Sequence, residues 1–323
     1  MTAPIGVLVM AYGTASGLDD IERYYTDIRG GRPPTPEHLA ELKARFAAIG
    51  NRFPLLEITM QQALGLEREL NAGGAGAFKA YLGMKHSPPF VADAIEEMRR
   101  DGIERAVGIV MAPHWSSMST ETYVERALAA AGDAGPAFTF VRSFHDHPQF
   151  VELLSLRVAH ALSRLPGPAR EAAMVIFSAH SLPVRALEDG SLRCLACDRC
   201  LESCRYRDGL RETADMVADR LDLDSYTIAW QSAGRTADPW WGPPVEDVIR
   251  ELPADGHRAV VVCSAGFVAD HLEILYDLDI QARAVAEEVG LAFARTEMPN
   301  ADPAFVRMLA AVVREHVGEA ADR

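Results

Sequence analysis

Lysine is nearly absent from this 323-residue chain: of its 32 basic residues only Lys43, Lys79 and Lys85 are lysines, and 46 acidic residues bring the net charge to −14. That sign, with no dense basic cluster, excludes a partner whose phosphates must be neutralised, so nucleic acid is not expected. Long apolar runs are missing too; none approaches the roughly 18–20 residues that a membrane span needs. The chain opens directly into a strand-like run without a basic leader, and a cytoplasmic protein is expected. Neither half carries a G-x-G-x-x-G turn after its first strand or a P-loop, which removes the best support for a dinucleotide or nucleoside triphosphate site. Cysteine is scarce and unevenly placed. There are five, and four lie between Cys194 and Cys204, too close together for a framework of loop-closing disulfides. Their clustering points to metal.

What remains is ordinary for a globular chain, with 49% hydrophobic and 24% charged residues, so wholesale disorder is excluded. At roughly 150 residues per domain the length suits two domains or one large one. Eight short β-rich runs alternate with amphipathic segments: Ile5–Ala11, Phe78–Gly83, Ala106–Met111, Phe138–Val141, Met174–Phe177, Tyr226–Trp230, Ala259–Cys263 and Leu291–Ala294. Four fall in each half, the pattern of mainly parallel sheets wrapped by helices such as Pro36–Ile49 and Glu57–Leu70. The fold class is therefore α/β, with two similar Rossmann-like domains of four strands each. The N-terminal domain is expected over residues 1–147 and the C-terminal one over 148–299, with a Cys-rich insert at 190–207. The last helix, within 300–323, is free to pack back on the first half.

In open α/β sheets, ligands gather beyond the carboxyl ends of the strands. Those ends here read Ala11-Tyr12-Gly13-Thr14, Met84-Lys85-His86, Ala112-Pro113-His114-Trp115, Ser178-Ala179-His180-Ser181, Gln231-Ser232-Ala233-Gly234 and Ala265-Gly266-Phe267, running on to His271 and Glu273. Polar and titratable groups thus collect where a cleft is expected. The segments Ile176-Phe177-Ser178-Ala179-His180-Ser181-Leu182-Pro183, Trp230-Gln231-Ser232-Ala233-Gly234 and Gly266-Phe267-Val268-Ala269-Asp270-His271-Leu272-Glu273, with Val9-Met10-Ala11-Tyr12-Gly13-Thr14 and Glu297-Met298-Pro299-Asn300-Ala301, resemble the ferrochelatase family over nearly the whole chain. Within it, Tyr12 and the lack of a membrane-binding extension resemble the soluble branch of monoderm bacteria that uses coproporphyrin III. The resemblance implies a chelatase-type fold and insertion of Fe2+ into coproporphyrin III to give coproheme in haem biosynthesis. It also implies a downstream coproheme decarboxylase as a possible partner, and a monomer is expected. Insertion into protoporphyrin IX is the alternative of the same class; a non-catalytic coproheme-binding iron–sulfur sensor is the alternative of another class. A cobalt chelatase on the related fold ranks third.

A neutral imidazole binds a divalent first-row metal or accepts a proton near neutral pH, and insertion needs both, because two pyrrole protons leave as the metal enters. His180 is assigned that work, although a strand-end histidine can also simply hydrogen-bond. Glu273 is the acidic partner, its carboxylate and the imidazole forming a transient Fe2+ site; Asp270-x-x-Glu273 also has the spacing of a capping box. Asp277 and Gln281 follow Glu273 at four-residue steps, on one helical face, as a track for metal or protons. The amide of Gln281 cannot relay a proton as a carboxylate does. Tyr12 is the family's axial contact to the product iron, although a lone tyrosine can also cap a sheet. Arg29 and Arg45 are assigned to the macrocycle's carboxylates, which guanidinium grips bidentately. By motif position, Phe46, Phe53 and Tyr123 are further porphyrin-pocket residues. Lys85, His86 and Trp230 complete the set, with core packing as the other account of Trp230.

Cys194-x2-Cys197-x2-Cys200-x3-Cys204 places four thiols within eleven residues. That density suits an iron–sulfur cluster better than structural zinc, whose cysteine pairs are usually separated by longer loops. Spacing alone suggests [4Fe-4S], whereas the resemblance implies [2Fe-2S]. Its role is expected to be structural or sensory, because cluster-free relatives carry out the same insertion. Cys263, inside an apolar strand, reads as a buried small hydrophobe.

Overall fold

The computed structural model describes residues 3–74, 76–188, 190–195, 205–234 and 236–321. Strands β1 (Ile5–Ala11), β2 (Phe78–Met84), β3 (Arg105–Val110) and β4 (Ala137–Val141) form one sheet in the order β2-β1-β3-β4. A second is made by β5 (Ala173–His180), β8 (Tyr226–Gln231), β9 (Ala259–Cys263) and β10 (Ala292–Arg295) in the order β10-β9-β5-β8. Every neighbouring pair in both is parallel. The chain is α/β as expected, and each of the eight apolar runs is a strand. The short hairpin of β6 (Val184–Ala186) and β7 (Leu192–Cys194) was not expected.

The helices are α1 (Ile21–Ile28), α2 (Pro36–Ala48), α3 (Leu55–Leu70), α4 (Val91–Arg100), α5 (Thr120–Ala131), α6 (Pro148–Ser163), α7 (Gly167–Arg170), α8 (Arg205–Leu221), α9 (Val245–Glu251), α10 (Arg283–Glu288) and α11 (Pro303–Ala321). Their starts follow local chemistry. Thr35 accepts the His38 amide at 3.3 Å ahead of Pro36 in the first turn of α2, a side-chain cap followed by a residue whose missing N–H costs nothing there. The imidazole of His147 does the same for α6, accepting from the Gln149 amide ahead of Pro148. Residues Ile274–Ala282, just before α10, form a π-helix, where an α-helix had been expected. Such i→i+5 turns are rare and recur at functional sites. Among the described residues, no helix is long and apolar enough to cross a membrane.

Side chains alternate between two buried faces along each central strand, which is why these strands read as nearly continuous apolar runs. From β1, Val7 and Val9 enter one large core, while Leu8 and Met10 enter a second under α4 and α5. From β5, Val175, Phe177 and Ala179 enter that same large core, and Ile176 enters a third under α9 and the π-helix. The inner faces of both sheets and residues of α3, α6, α8 and α11 therefore share one apolar cluster. A fourth, small cluster under α1 and α2 holds Ala15, Ile21, Tyr24 and Phe46, with Leu272 packed against it.

The last helix carries Phe305, Met308, Leu309 and Val313 into the shared core, and Gly65 of α3 lets it approach so closely that an added Cβ lies 3.2 Å from Val306. Phe305 is fully buried. Phe305→Ala should cost about 3–5 kcal/mol of stability, read as a lowered urea midpoint; a change within about 0.5 kcal/mol, the scale of an ordinary surface substitution, would contradict this account of how the helix is held.

Candidate active site

Because all strands of a parallel sheet point the same way, each sheet delivers its loops on one side, and β1 and β5 bring Tyr12 and His180 to that side. The loop after β1 turns at Gly13, whose φ is +97° and whose added Cβ would stand 2.6 Å from Ser87 Oγ. No other residue fits that turn without strain. Tyr24 Oη secures it by donating to the Gly13 carbonyl at 3.1 Å. The loop after β9 passes β5 just as closely. An added Cβ on Gly266 would lie 2.5 Å from Ala179 Cβ, beside His180, and the Gly266 amide donates to the Ser178 carbonyl at 3.0 Å.

His180 ends β5 with its side chain one-third exposed. Its Nδ1 is hydrogen-bonded to the Ser181 carbonyl, and its Nε2 faces Glu273, whose Oε1 is 3.8 Å away. The other oxygen of Glu273 lies 3.5 Å from Nε2 of His271, and His271 Nδ1 donates to the Ala269 carbonyl at 2.9 Å. One carboxylate thus stands between two imidazoles, each oriented by a backbone carbonyl. Burial opposes the charge on Glu273, but His180, His271 and Arg45 outweigh it and hold the carboxyl down at about 2. Burial likewise opposes protonation of His271, and the hydrogen bond and charge of Glu273 outweigh it, raising that imidazole above its ordinary value. The arrangement offers nitrogen and carboxylate donors to a divalent cation and a base to a departing proton.

Behind this group, Gln231 ties the strand ends together. Its Oε1 accepts from Ser178 Oγ at 2.9 Å and Ser264 Oγ at 3.1 Å, and its Nε2 points to the Glu273 carbonyl at 3.4 Å. Asp277, buried in the π-helix, accepts from the Arg45 guanidinium and from the Ser232 hydroxyl. Ser232 holds φ at +59°, a conformation uncommon for any residue but glycine, of the kind that gathers at functional sites. Arg45, from α2, also lies over the Tyr276 ring, its Cζ 4.7 Å from the centroid. Asp277 shares the Glu273 segment of the π-helix, whereas Gln281 is exposed at its far end.

The facing wall comes from the first sheet. Tyr12 is 41% exposed and tilts against His86 with ring centroids 4.6 Å apart. Desolvation by burial, then the charge of Glu273, raise its phenol above the ordinary value. Lys85 donates to Thr122 Oγ1 at 2.6 Å and lies 4.9 Å from the Tyr123 ring centroid; burial, then the Arg126 charge, lower it to about 8. His86 pairs with Asp27 at 2.7 Å, and burial lowers its imidazole.

The structure thus brings Tyr12, Lys85 and His86 together at the carboxyl end of the first sheet, and His180 and Glu273 together at that of the second, with Asp277 and its partner Arg45 close behind. Phe46 is 1% exposed and stacks on half-buried Phe53 within the α1–α2 cluster. Trp230, 2% exposed, stacks on Trp241 in the shared core, and Tyr123 is buried on the inner face of α5. These aromatics stand behind the wall. Arg29 is partly exposed, its Nε donating to the Arg32 carbonyl at 3.3 Å. Asp270 is no helix cap: its carboxylate accepts from Arg295 and Asn300. Cys194 is buried on β7, its Sγ accepting Trp241 Nε1–H at 3.4 Å; Cys197, Cys200 and Cys204 lie outside the described residues. Cys263 is buried in β9 as expected. His271, Gln231 and Ser232 had been quoted within motifs without a role, and the two adjacent polar motifs that hold them were the available signal.

The fold is that of a chelatase. A sirohydrochlorin chelatase, SirB, from Bacillus subtilis subspecies spizizenii, solved with cobalt, superposes with a TM-score of 0.55 over 97% of this chain and 94% of its own, at 8% identity. The ferrochelatase family profile matches residues 4–317, and the chain belongs to that family. Relatives named coproporphyrin III ferrochelatase are 44% identical in Geobacillus kaustophilus, over 98% of each chain, and 45% identical in Bacillus subtilis, over 97% of this chain and 98% of the relative. The protein of that name from Listeria monocytogenes is 42% identical, over 98% and 99%.

Burial, opposed by Arg45, pushes Asp277 up to about 6. A carboxyl raised in the folded state stabilises below its unfolded value, roughly 3.9, and that contribution is lost as pH rises through about 6. Wild type should therefore lose stability between about pH 4 and 6 relative to Asp277→Asn, read from urea midpoints across that range. Parallel pH profiles would show that Asp277 titrates as an ordinary carboxylate.

Proposed function

We propose that this protein inserts Fe2+ into coproporphyrin III to form coproheme in haem biosynthesis. The observation that carries the reading is the Glu273 carboxylate set between the Nε2 atoms of His180 and His271, opposite Tyr12, in a chain whose relatives are named for that reaction over nearly their whole length. The macrocycle docks with its carboxylates on Arg29 and Arg45. Arg45 is paired with Asp277, so a substrate carboxylate competes with Asp277 for the same guanidinium. Fe2+ approaches on the His180 side, where ionised Glu273 and the unprotonated Nε2 of His180 replace part of its water shell. Two pyrrole N–H protons leave as two Fe–N bonds form; His180 takes one, and the Glu273–His271 pair leads protons away past Asp277 toward the exposed end of the π-helix at Gln281. Iron keeps its oxidation state throughout. Tyr12 contacts the product iron from the opposite face, and Phe46, Phe53, Tyr123, Lys85 and Trp230 shape the porphyrin wall directly or from behind.

The four cysteines Cys194, Cys197, Cys200 and Cys204 are assigned to a [2Fe-2S] cluster, with [4Fe-4S] as the alternative. Their spacing supports this, as does the indole N–H on Cys194 Sγ, the kind of donor that stabilises a metal-bound thiolate. A cluster supplies one-electron chemistry, which the insertion does not use, so these residues serve a structural or sensing role. The halves 1–147 and 148–299 are assigned to the two walls, and the approach of α11 to α3 at Gly65 and Val306 supports a last helix, within 300–323, that returns to the first half.

Anaerobic assays with Fe2+ and either coproporphyrin III or protoporphyrin IX test the assignment. Coproporphyrin III should be turned over preferentially, and His180→Ala should slow insertion at least about 100-fold while porphyrin binding stays within about twofold. Preference for protoporphyrin IX would reassign the substrate. Absence of turnover with either porphyrin by cluster-loaded protein would favour a coproheme-binding sensor.

A further inference from the structure

The segment that carries His271 and Glu273 is pinned from behind by a hydrogen-bonded brace. Asn300 grips Asp270 at two points: its Oδ1 accepts the Asp270 amide at 2.8 Å, and its Nδ2 donates to Asp270 Oδ2 at 2.7 Å. Its own backbone is fixed as well. The Asn300 amide donates to the Val268 carbonyl at 2.9 Å, and Gln62 Nε2, from α3, donates to both the Asn300 carbonyl at 2.9 Å and the Val268 carbonyl at 3.2 Å. Asn300 holds φ at +46°, where asparagine is tolerated better than nearly any residue other than glycine. One residue type thus satisfies the backbone and supplies both an acceptor and a donor. Arg295 extends the brace, its guanidinium meeting Asp279 in a fork at 2.8 and 2.9 Å and Asp270 Oδ1 at 3.3 Å. Asp270 and Asp279 lie on either side of Glu273 in sequence, so this one side chain ties both flanks of the stretch that holds the carboxylate.

We propose that Asn300, supported by Arg295, is a positioning residue for the metal side of the site, setting where His271 and Glu273 stand relative to His180. The inference rests on the proposed insertion reaction for its kinetic meaning but not for its structural content. The site has only long contacts of its own, 3.5 and 3.8 Å between imidazole and carboxylate, too long to fix one another as short hydrogen bonds do. Rigidity must come from outside, and groups that orient ligands from behind commonly change metal affinity or activity when removed.

The test uses the full chain and Asn300→Gly, which keeps the positive φ accessible and deletes both side-chain bonds. Its kcat/KM for Fe2+ should fall about 10–100-fold, with porphyrin KM within about twofold and the thermal midpoint within about 3 °C of wild type. The 15N imidazole resonances of His271, assigned by their loss in His271→Gln, should move, while those of His86 on the facing wall stay in place. Arg295→Lys, which loses the fork on Asp279, should show the same split more weakly and serves if the glycine variant does not fold. Unchanged His271 resonances overturn the inference whether or not the wild type turns over. So does a loss of iron kinetics matched by equal losses in porphyrin binding and thermal midpoint, which marks a general structural defect. Absence of insertion by wild type removes the proposed function alone, and the resonance shift still decides the positioning role.

Discussion

Val7 and Val9 of one sheet and Val175, Phe177 and Ala179 of the other meet in a single apolar cluster, and the placement of every reactive group follows from that contact. Hydrophobic burial is non-directional; orientation comes from close packing, which admits few arrangements. Tyr12 follows the last residue of β1, and His180 follows Ala179 on β5. Each is therefore held one step beyond a core anchor. The close approach of Gly266 to Ala179 brings the next loop, with His271 and Glu273, to the same place. The two walls of the cleft are the two sheets' carboxyl ends, and the core that joins the sheets sets the distance between them.

The electrostatics of the cleft suit a site that must take up a cation and release it. A half-buried carboxylate with no partner would be costly, and Glu273 is relieved by two imidazoles whose nitrogens stay beyond short hydrogen-bond distance. The carboxylate is ionised without being locked by a short contact, so in the proposed reaction an incoming Fe2+ meets negative charge that is still open to it. Asp277 follows the opposite logic: burial favours its neutral form, while Arg45 and Ser232 hold the charged one. Two carboxyls four residues apart on one helix are thereby driven to different protonation tendencies, which is what a directional path for protons requires.

The sequence disclosed the framework because its signals are local. All eight parallel strands were visible as apolar runs, because the central strands are buried on both faces and the runs are set apart by longer amphipathic segments. The hairpin β6–β7 escaped because three-residue strands are too short to show a period. The π-helix escaped because apolar spacing over nine residues does not separate i→i+5 from i→i+4 bonding. Arg45 and Asp277 could each be singled out, but their pairing spans 232 positions and leaves no trace in either neighbourhood. Similarly, composition does not tell an aromatic that lines a wall from one behind it; Phe46 and Trp230 occupy the second position because helix α2 and strand β8 turn those faces inward. His271 sat in a quoted motif without a role, since its imidazole reaches Glu273 only through the turn that Asp270 and Asn300 hold.

The two walls also differ in kind, and the difference bears on direction. On the first sheet, Lys85 lies 6.0 Å from the Tyr12 ring and Arg126 donates to the Lys85 carbonyl, and two basic side chains beside Tyr12 favour anionic groups over a bare cation. On the second, ionised Glu273 attracts one. In the proposed reaction a macrocycle lying between them presents one face to each, and the charge of Glu273 favours Fe2+ on the face toward His180. In the same scheme, protons leaving the pyrroles are drawn toward Glu273 and Asp277, away from Lys85. Directionality therefore needs no gate, because the fold has already placed charges of opposite sign at the ends of two sheets that one core holds face to face.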